Sequence, residues 1–92
     1  MLQVTETKSF RKQFKRVAKS GNFDVEQFHR VVDLLAREES LEAKYRDHQL
    51  SGEMSRYREC HLKGDLLLVY AVNKGLLVLS LVGIGSHSEL FD

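Results

Sequence analysis

An α+β fold, with two helices laid on one face of a mainly antiparallel sheet, is the class that this 92-residue sequence predicts. Three observations carry it. Two amphipathic stretches of helical period fill the first 40 residues, alternating or wholly apolar runs of strand length fill the second half, and short glycine-bearing turns divide them. Met1–Thr5 opens the chain as a short strand, Leu2 and Val4 alternating with polar neighbours. Thr7 caps a helix running to about Ser20, and Gly21 stops it. Asp24 with Gln27 forms a capping box for a second helix to about Glu39, whose buried stripe is Val25, Phe28, Val31, Val32 and Leu35.

From Leu41 the period changes. Ser55–Leu62 alternates, placing Tyr57, Glu59 and His61 on one face and Arg56, Arg58, Cys60 and Leu62 on the other. Lys63-Gly64 is a tight turn. Asp65–Val72 and Leu76–Ile84 are near-continuous apolar runs, hence central strands, joined by the hairpin loop Asn73-Lys74-Gly75. The last eight residues are a turn followed by a docked segment. The order is β-α-α-β-β-β, one domain spanning 1–92, with the second sheet face left free as a working surface.

Composition narrows the function classes. A chain this short has room for one modest core. No apolar run approaches the roughly 20 residues of a membrane span, and the first apolar stretch ends by Val4, before rather than after the basic segment of a signal peptide. One cysteine excludes an internal disulfide framework, so the cytoplasm is the expected setting. The net charge of +1 hides an asymmetry: residues 1–20 hold six basic side chains and one acid, +5, which leaves −4 for the rest. On a helical wheel Lys8, Arg11, Lys12, Lys15, Arg16 and Lys19 share an arc of roughly 140°, opposite Phe10, Phe14, Val17 and Ala18. Solvated faces usually mix signs, and no acid lies between Thr7 and Phe23, so this stripe is read as facing phosphates. A membrane surface suits it less, because Phe10 and Phe14 are needed in the core.

Chemistry-bearing groups gather later in the chain: Asp47-His48, Glu59-Cys60-His61, Asp65 and Ser86-His87-Ser88-Glu89. Three chemistries fit such a set. Zinc would use His48, His61 and His87, without any HExxH or Cys/His spacing to support it. A Cys60–histidine nucleophile pair suffers because Cys60 alternates away from His61. Metal-free RNA cleavage fits best: a base for the 2′-OH, an acid for the departing 5′-oxygen, and positive charge for the phosphate.

Four ordered blocks, Tyr45-Arg-Asp-His-Gln-Leu-Ser-Gly52, Tyr57-Arg-Glu-Cys-His-Leu62, Asp65-Leu-Leu-Leu-Val-Tyr70 and Gly85-Ser-His-Ser-Glu-Leu-Phe91, resemble the YafQ-like toxins of the RelE superfamily. The resemblance covers the chain, weakly before Glu39 and strongly after it. It implies a RelE-like domain and a toxin of a type II toxin–antitoxin system, an endoribonuclease that cleaves mRNA in the ribosomal A site and is neutralised by a cognate antitoxin. It implies acid/base work shared by His48, His61, Asp65 and His87, with Glu59 supporting them and Phe91 stacking on a base or shaping the pocket; the basic stripe, read from the helical wheel, and Arg58 are the cations expected to meet the RNA. No cofactor and no metal are called for.

Plainer roles compete. Asp65 would simply close the Lys63-Gly64 turn, Phe91 anchor the tail, Glu59 pair with an arginine, and His29 sit on a helix with no role in chemistry. The sequence also departs from the family pattern, with Met54 for a tryptophan, Gly64-Asp65 for Pro-Asp, and Gly83 for an arginine four positions before His87. Losing a phosphate-stabilising cation typically costs about 10²–10³ in rate. Either Arg56, Arg58 or Lys63 compensates, or the alternative reading holds, a weakened or inactive module that binds RNA, ribosome or antitoxin.

Overall fold

The computed structural model describes residues 1–91. The strands are β1 (Gln3–Glu6), β2 (His48–Gln49), β3 (Arg58–His61), β4 (Leu67–Asn73) and β5 (Val78–Gly85), and the helices are α1 (Lys8–Ala18), α2 (Val25–Ala36) and α3 (His87–Phe91). One sheet holds all five strands in the order β1-β5-β4-β3-β2; β1 runs parallel to β5 and the other pairs are antiparallel. The predicted class holds, with two elements added, the two-residue β2 and the C-terminal α3.

Both long helices start where local hydrogen bonding favours it. Thr7 Oγ1 accepts the Phe10 N–H at 3.0 Å, and Asp24 Oδ1 accepts the Gln27 N–H at 3.0 Å. The expected capping box is only half made, because Gln27 Nε2 donates to the Leu62 carbonyl instead, at 3.0 Å, tying α2 to the turn after β3. Phe10, Phe14, Phe23 and Phe28 form a connected aromatic cluster between the helices, with centroids 5.1–6.1 Å apart. Beneath it lie Cys60, Leu68, Tyr70, Leu79, Leu81 and Ile84 from the sheet. Val25, expected in the buried stripe, is exposed, since it opens α2 ahead of the first packed turn.

The strands β1, β3, β4 and β5 all start two or three residues later than the sequence pattern suggested, and β3 and β5 show why. Ser55 and Arg56 belong to the turn after a 3₁₀ segment, Gly52–Met54, so β3 starts at Arg58. Leu76 and Leu77 are exposed in the β4–β5 turn, where Leu77 adopts φ 56° and its carbonyl accepts the Gln3 N–H at 2.8 Å. The backbone bond to β1, rather than burial, accounts for the position of that leucine.

β5 outruns β1, which pairs only with residues 78–81. Side chains complete its edge: Thr7 Oγ1 donates to the Val82 carbonyl at 3.1 Å, and Gln13 Oε1 accepts the Ile84 N–H at 3.0 Å. On the sheet face away from α2, α3 packs closely because Gly83 and Gly85 present no Cβ. A Cβ at Gly83 would lie 3.3 Å from Leu90 Cδ2, and one at Gly85 would lie 3.0 Å from Glu89 Oε1. The second face is thus open at the β2–β3 end and covered by α3 over β5.

Candidate active site

Three elements bring the functional side chains together. His48 on β2 stands opposite Glu59 on β3, and His61 lies two residues further along the same face as Glu59. Glu59 is buried, and its Oε2 lies 3.2 Å from His48 Nε2 and 3.8 Å from His61 Nε2. The two imidazole centroids are 6.4 Å apart. The other carboxylate oxygen, Glu59 Oε1, is buried with no hydrogen-bond partner. His48 is held from behind as well, its Nδ1 lying 2.7 Å from the Arg46 carbonyl.

Glu59 also lines a cavity of about 230 Å³ with His87 and Phe91 of α3 and with Leu50, Ser51 and Met54. The rings of His87 and Phe91 are 5.1 Å apart. α3 is itself a small built unit. Ser86 Oγ accepts the Glu89 N–H at 3.2 Å while Glu89 Oε1 accepts the Ser86 N–H at 2.8 Å, a reciprocal cap that holds the Glu89 carboxyl below its usual range. Glu89 Oε2 lies 3.3 Å from Arg16 Nη2, joining α3 to the basic helix.

His48, Glu59, His61, His87 and Phe91 therefore converge. Two expected site residues do not join them. Asp65 is exposed and lines a larger cleft of about 650 Å³ with Lys63, Arg16 and Glu89. That cleft holds none of the three histidines, so Asp65 is set apart from them. Arg58, expected at the RNA, lies on the opposite sheet face. Its Nε donates to Tyr70 Oη at 3.2 Å and its Nη2 lies 3.3 Å from Asp47 Oδ2, while Tyr70 Oη donates to Asp47 Oδ1. The hydrogen bond to Tyr70 raises the Arg58 pKa further, and burial pushes the Tyr70 phenol up. The six cations of the stripe, Lys8, Arg11, Lys12, Lys15, Arg16 and Lys19, are all exposed, and His29 is exposed on α2.

Sequence reasoning missed Tyr70, Leu50 and Ser51, and it left Asp47 without a role. It named Met54 only as a departure, and the structure sets that residue on the cavity wall. The Gly83 departure also gains a cause. Gly83 is buried, with Leu90 of α3 packed over it, so an arginine there would need Leu90 to move.

The fold and site define a class: a small α+β protein with a basic helix and a histidine–carboxylate cluster on one sheet face. Residues 2–92 match the model of the family described as bacterial toxin of type II toxin–antitoxin system, YafQ, and the chain belongs to that family. It is 30% identical over 77 residues, 83% of this chain and 82% of the relative, to a protein of Escherichia coli K12 named mRNA interferase toxin YafQ. Among solved structures it is similar to a metal-bound toxin from Helicobacter pylori, at 48% identity and a TM-score of 0.92, covering 99% of this chain and all of that one. It is also similar to a chain of the Escherichia coli DinJ–YafQ toxin–antitoxin complex, at 26% identity and 0.85, covering 99% and 98%. No helix among the described residues is long and apolar enough to cross a membrane.

Proposed function

We propose that this toxin is an endoribonuclease that cleaves mRNA on the ribosome through histidine acid/base catalysis. One observation carries the reading. A buried carboxylate is shared between His48 and His61 and faces a cavity walled by His87 and Phe91, with one oxygen left unpaired. Buried polar groups are ordinarily satisfied, and the exceptions gather at sites of function.

The reaction is a transesterification. One imidazole takes the proton of the 2′-OH, the 2′-oxygen bonds to phosphorus, and the P–O5′ bond breaks as a second imidazole protonates the leaving oxygen. The products carry 2′,3′-cyclic phosphate and 5′-hydroxyl ends. Glu59 steadies the positive charge that passes among the imidazoles, and Phe91 offers a ring on which a base can stack. The name of the E. coli relative supports the substrate class, and the exposed basic face of α1 supports docking on rRNA. A shallow cavity of this size supports the ribosome as the element that presents the mRNA. A cognate antitoxin follows from family membership and from the complex of the E. coli relative. The cytoplasm, where ribosomes are, is the matching location, and residues 1–92 act as a single domain.

The H. pylori relative is described as metal-bound, whereas the reaction proposed here asks for no ion. Among the described residues no three His, Cys, Asp or Glu side chains are set to hold one.

The test is primer extension on mRNA in programmed ribosomes, with naked mRNA as control. Cleavage only on ribosomes, indifferent to EDTA and leaving 5′-hydroxyl ends, is expected. Equal cleavage of naked RNA removes the ribosome from the proposal, and EDTA-sensitive cleavage or 5′-phosphate ends reject the chemistry.

A further inference from the structure

β2 is two residues long and lies at the sheet edge, too short to hold itself in place by its ladder alone. Yet it carries His48, whose ring must be fixed to do acid/base work. Neighbouring residues on a strand point to opposite faces, so Asp47 emerges on the side away from Glu59. There both of its oxygens are taken up. Tyr70 Oη, on β4, donates to Oδ1, and Arg58 Nη2, on β3, lies 3.3 Å from Oδ2. Arg58 Nε donates to the same Tyr70 oxygen at 3.2 Å, closing the three side chains into a ring of contacts. Tyr70 is 1% exposed, so the anchor point is core.

The clamp acts on the site through one peptide unit. Arg46 takes the left-handed conformation, φ 47° and ψ 44°, which a non-glycine residue adopts at a cost of about 1–2 kcal/mol. That turn aims the Arg46 carbonyl at His48 Nδ1, 2.7 Å away, while Nε2 faces Glu59 Oε2 at 3.2 Å. Strained backbone persists only where its surroundings over-determine it. Asp47, between the strained residue and the histidine, supplies that constraint.

We infer that Asp47, held by Arg58 and Tyr70, is a positioning residue that pins the His48 ring between two oxygen acceptors on the far face of the sheet. This rests on the acid/base reading above for its effect on rate, though not for its effect on the ring. Breaking the clamp leaves the imidazole in place chemically and frees it to rotate.

The experiment compares wild type with Asp47→Asn, which keeps shape and removes charge, and Tyr70→Phe, which removes one hydroxyl. Long-range ¹H–¹⁵N spectra of the imidazoles report ring state, with exposed His29 as internal reference. In both variants the His48 signals are expected to move toward the pattern of His29. In the ribosome assay kcat is expected to fall by up to about 10²-fold with KM within about twofold, the signature of a misplaced group. Arg58→Lys, which keeps a cation without the fork, should retain part of the rate. If Asp47→Asn does not fold, Tyr70→Phe decides alone. Unchanged His48 signals in the folded variants overturn the inference, as does an unchanged kcat in a chain that cleaves. A wild-type chain that cleaves nothing defeats the acid/base reading instead, and the spectra still decide the clamp.

Discussion

The two faces of β3 have opposite characters. On one, Arg58 joins Asp47 and Tyr70 so that their charges and hydroxyl satisfy one another, and Cys60 is sealed in the core. On the other, Glu59 is buried with an oxygen unpaired, and two imidazoles crowd its second oxygen. Four consecutive residues thus divide their side chains by parity into a stabilising set and a frustrated one. The first set holds the strand still while the second keeps unspent hydrogen-bonding capacity. Such division is what a site with no deep cavity needs, because the groups themselves must be pre-placed.

The comparison breaks most visibly if the frustrated face is emptied. His61→Ala and His87→Ala are each expected to slow mRNA cleavage by about 10²–10⁴-fold, the usual worth of one acid or base. Melting temperatures should stay near wild type, since His87 is exposed and His61 only partly covered. Full-rate cleavage by either variant would take that histidine out of the chemistry. A large loss of melting temperature would return it to a packing role.

Glu59 sharpens the contrast in stability. A buried acceptor without a donor costs about 1–3 kcal/mol, whereas the contact to half-exposed His48 returns about 0–1 kcal/mol. Glu59→Met, similar in length and apolar, is expected to raise the melting temperature by several degrees, since about 1 kcal/mol moves a chain of this size by roughly 4–8 °C. Cleavage should fall by at least as much as for a histidine. A less stable Glu59→Met protein would show that this carboxylate is a structural ion-pair partner, the plainer role its sequence allowed.

Which parts of this were legible beforehand follows from how far each signal reaches along the chain. The amphipathic periods of α1 and α2, and the apolar runs of β4 and β5, span enough residues to declare themselves. β2 has two residues and no period, so His48 could be named by its chemistry but not placed on a strand, and its pairing with Glu59 comes from the fold. The alternation along β3 did separate Glu59 and His61 from Arg58 and Cys60. Naming Arg58 for the RNA set the search for a cation to replace the family arginine against that parity, and Arg58 lies on the face the parity gives it. α3 carried a readable signal, Ser86 with Glu89 three residues on, obscured by its five-residue length. Asp65 sits in a turn whose direction no local pattern fixes, and it ends in a different cleft from the histidines.

The basic helix extends the contrast beyond β3, because its exposed cations can meet phosphate without disturbing the aromatic cluster behind them. Lys12→Glu with Lys15→Glu is expected to weaken ribosome binding and to lower the slope of log affinity against log salt by about 1.4–1.8, roughly 0.7–0.9 for each phosphate no longer neutralised. Circular dichroism and melting should change little, as both side chains are exposed. An unchanged slope would make the stripe an ordinary solvated face.

The smallest expected effect tests the sealed face through its thiol. Burial first, and the charges of Asp47 and Glu59 after it, push Cys60 from the ordinary 9.0 to about 12. In the unfolded chain the same thiol ionises at its ordinary value. A group raised in this way gives stability that is complete below the unfolded value and is lost as pH climbs toward the folded one. The window runs from about pH 9 to about 12, and Tyr70, pushed up from 10.0, joins in its upper part. Between pH 9 and 10 the thiol alone should remove about 1 kcal/mol, given about 1.4 kcal/mol per unit once ionisation in the unfolded chain is complete. Denaturant midpoints for wild type and Cys60→Ala at pH 8, 9 and 10 measure it. The variant is less stable throughout because it leaves a small void, so the informative quantity is slope rather than offset. The wild-type curve should fall more steeply, and the two should converge as pH rises. Iodoacetamide at pH 8 should leave the folded thiol untouched and label it on unfolding. Parallel curves, or rapid labelling of the folded chain, would mean that Cys60 is not sealed and that the two faces of β3 differ less than the structure implies.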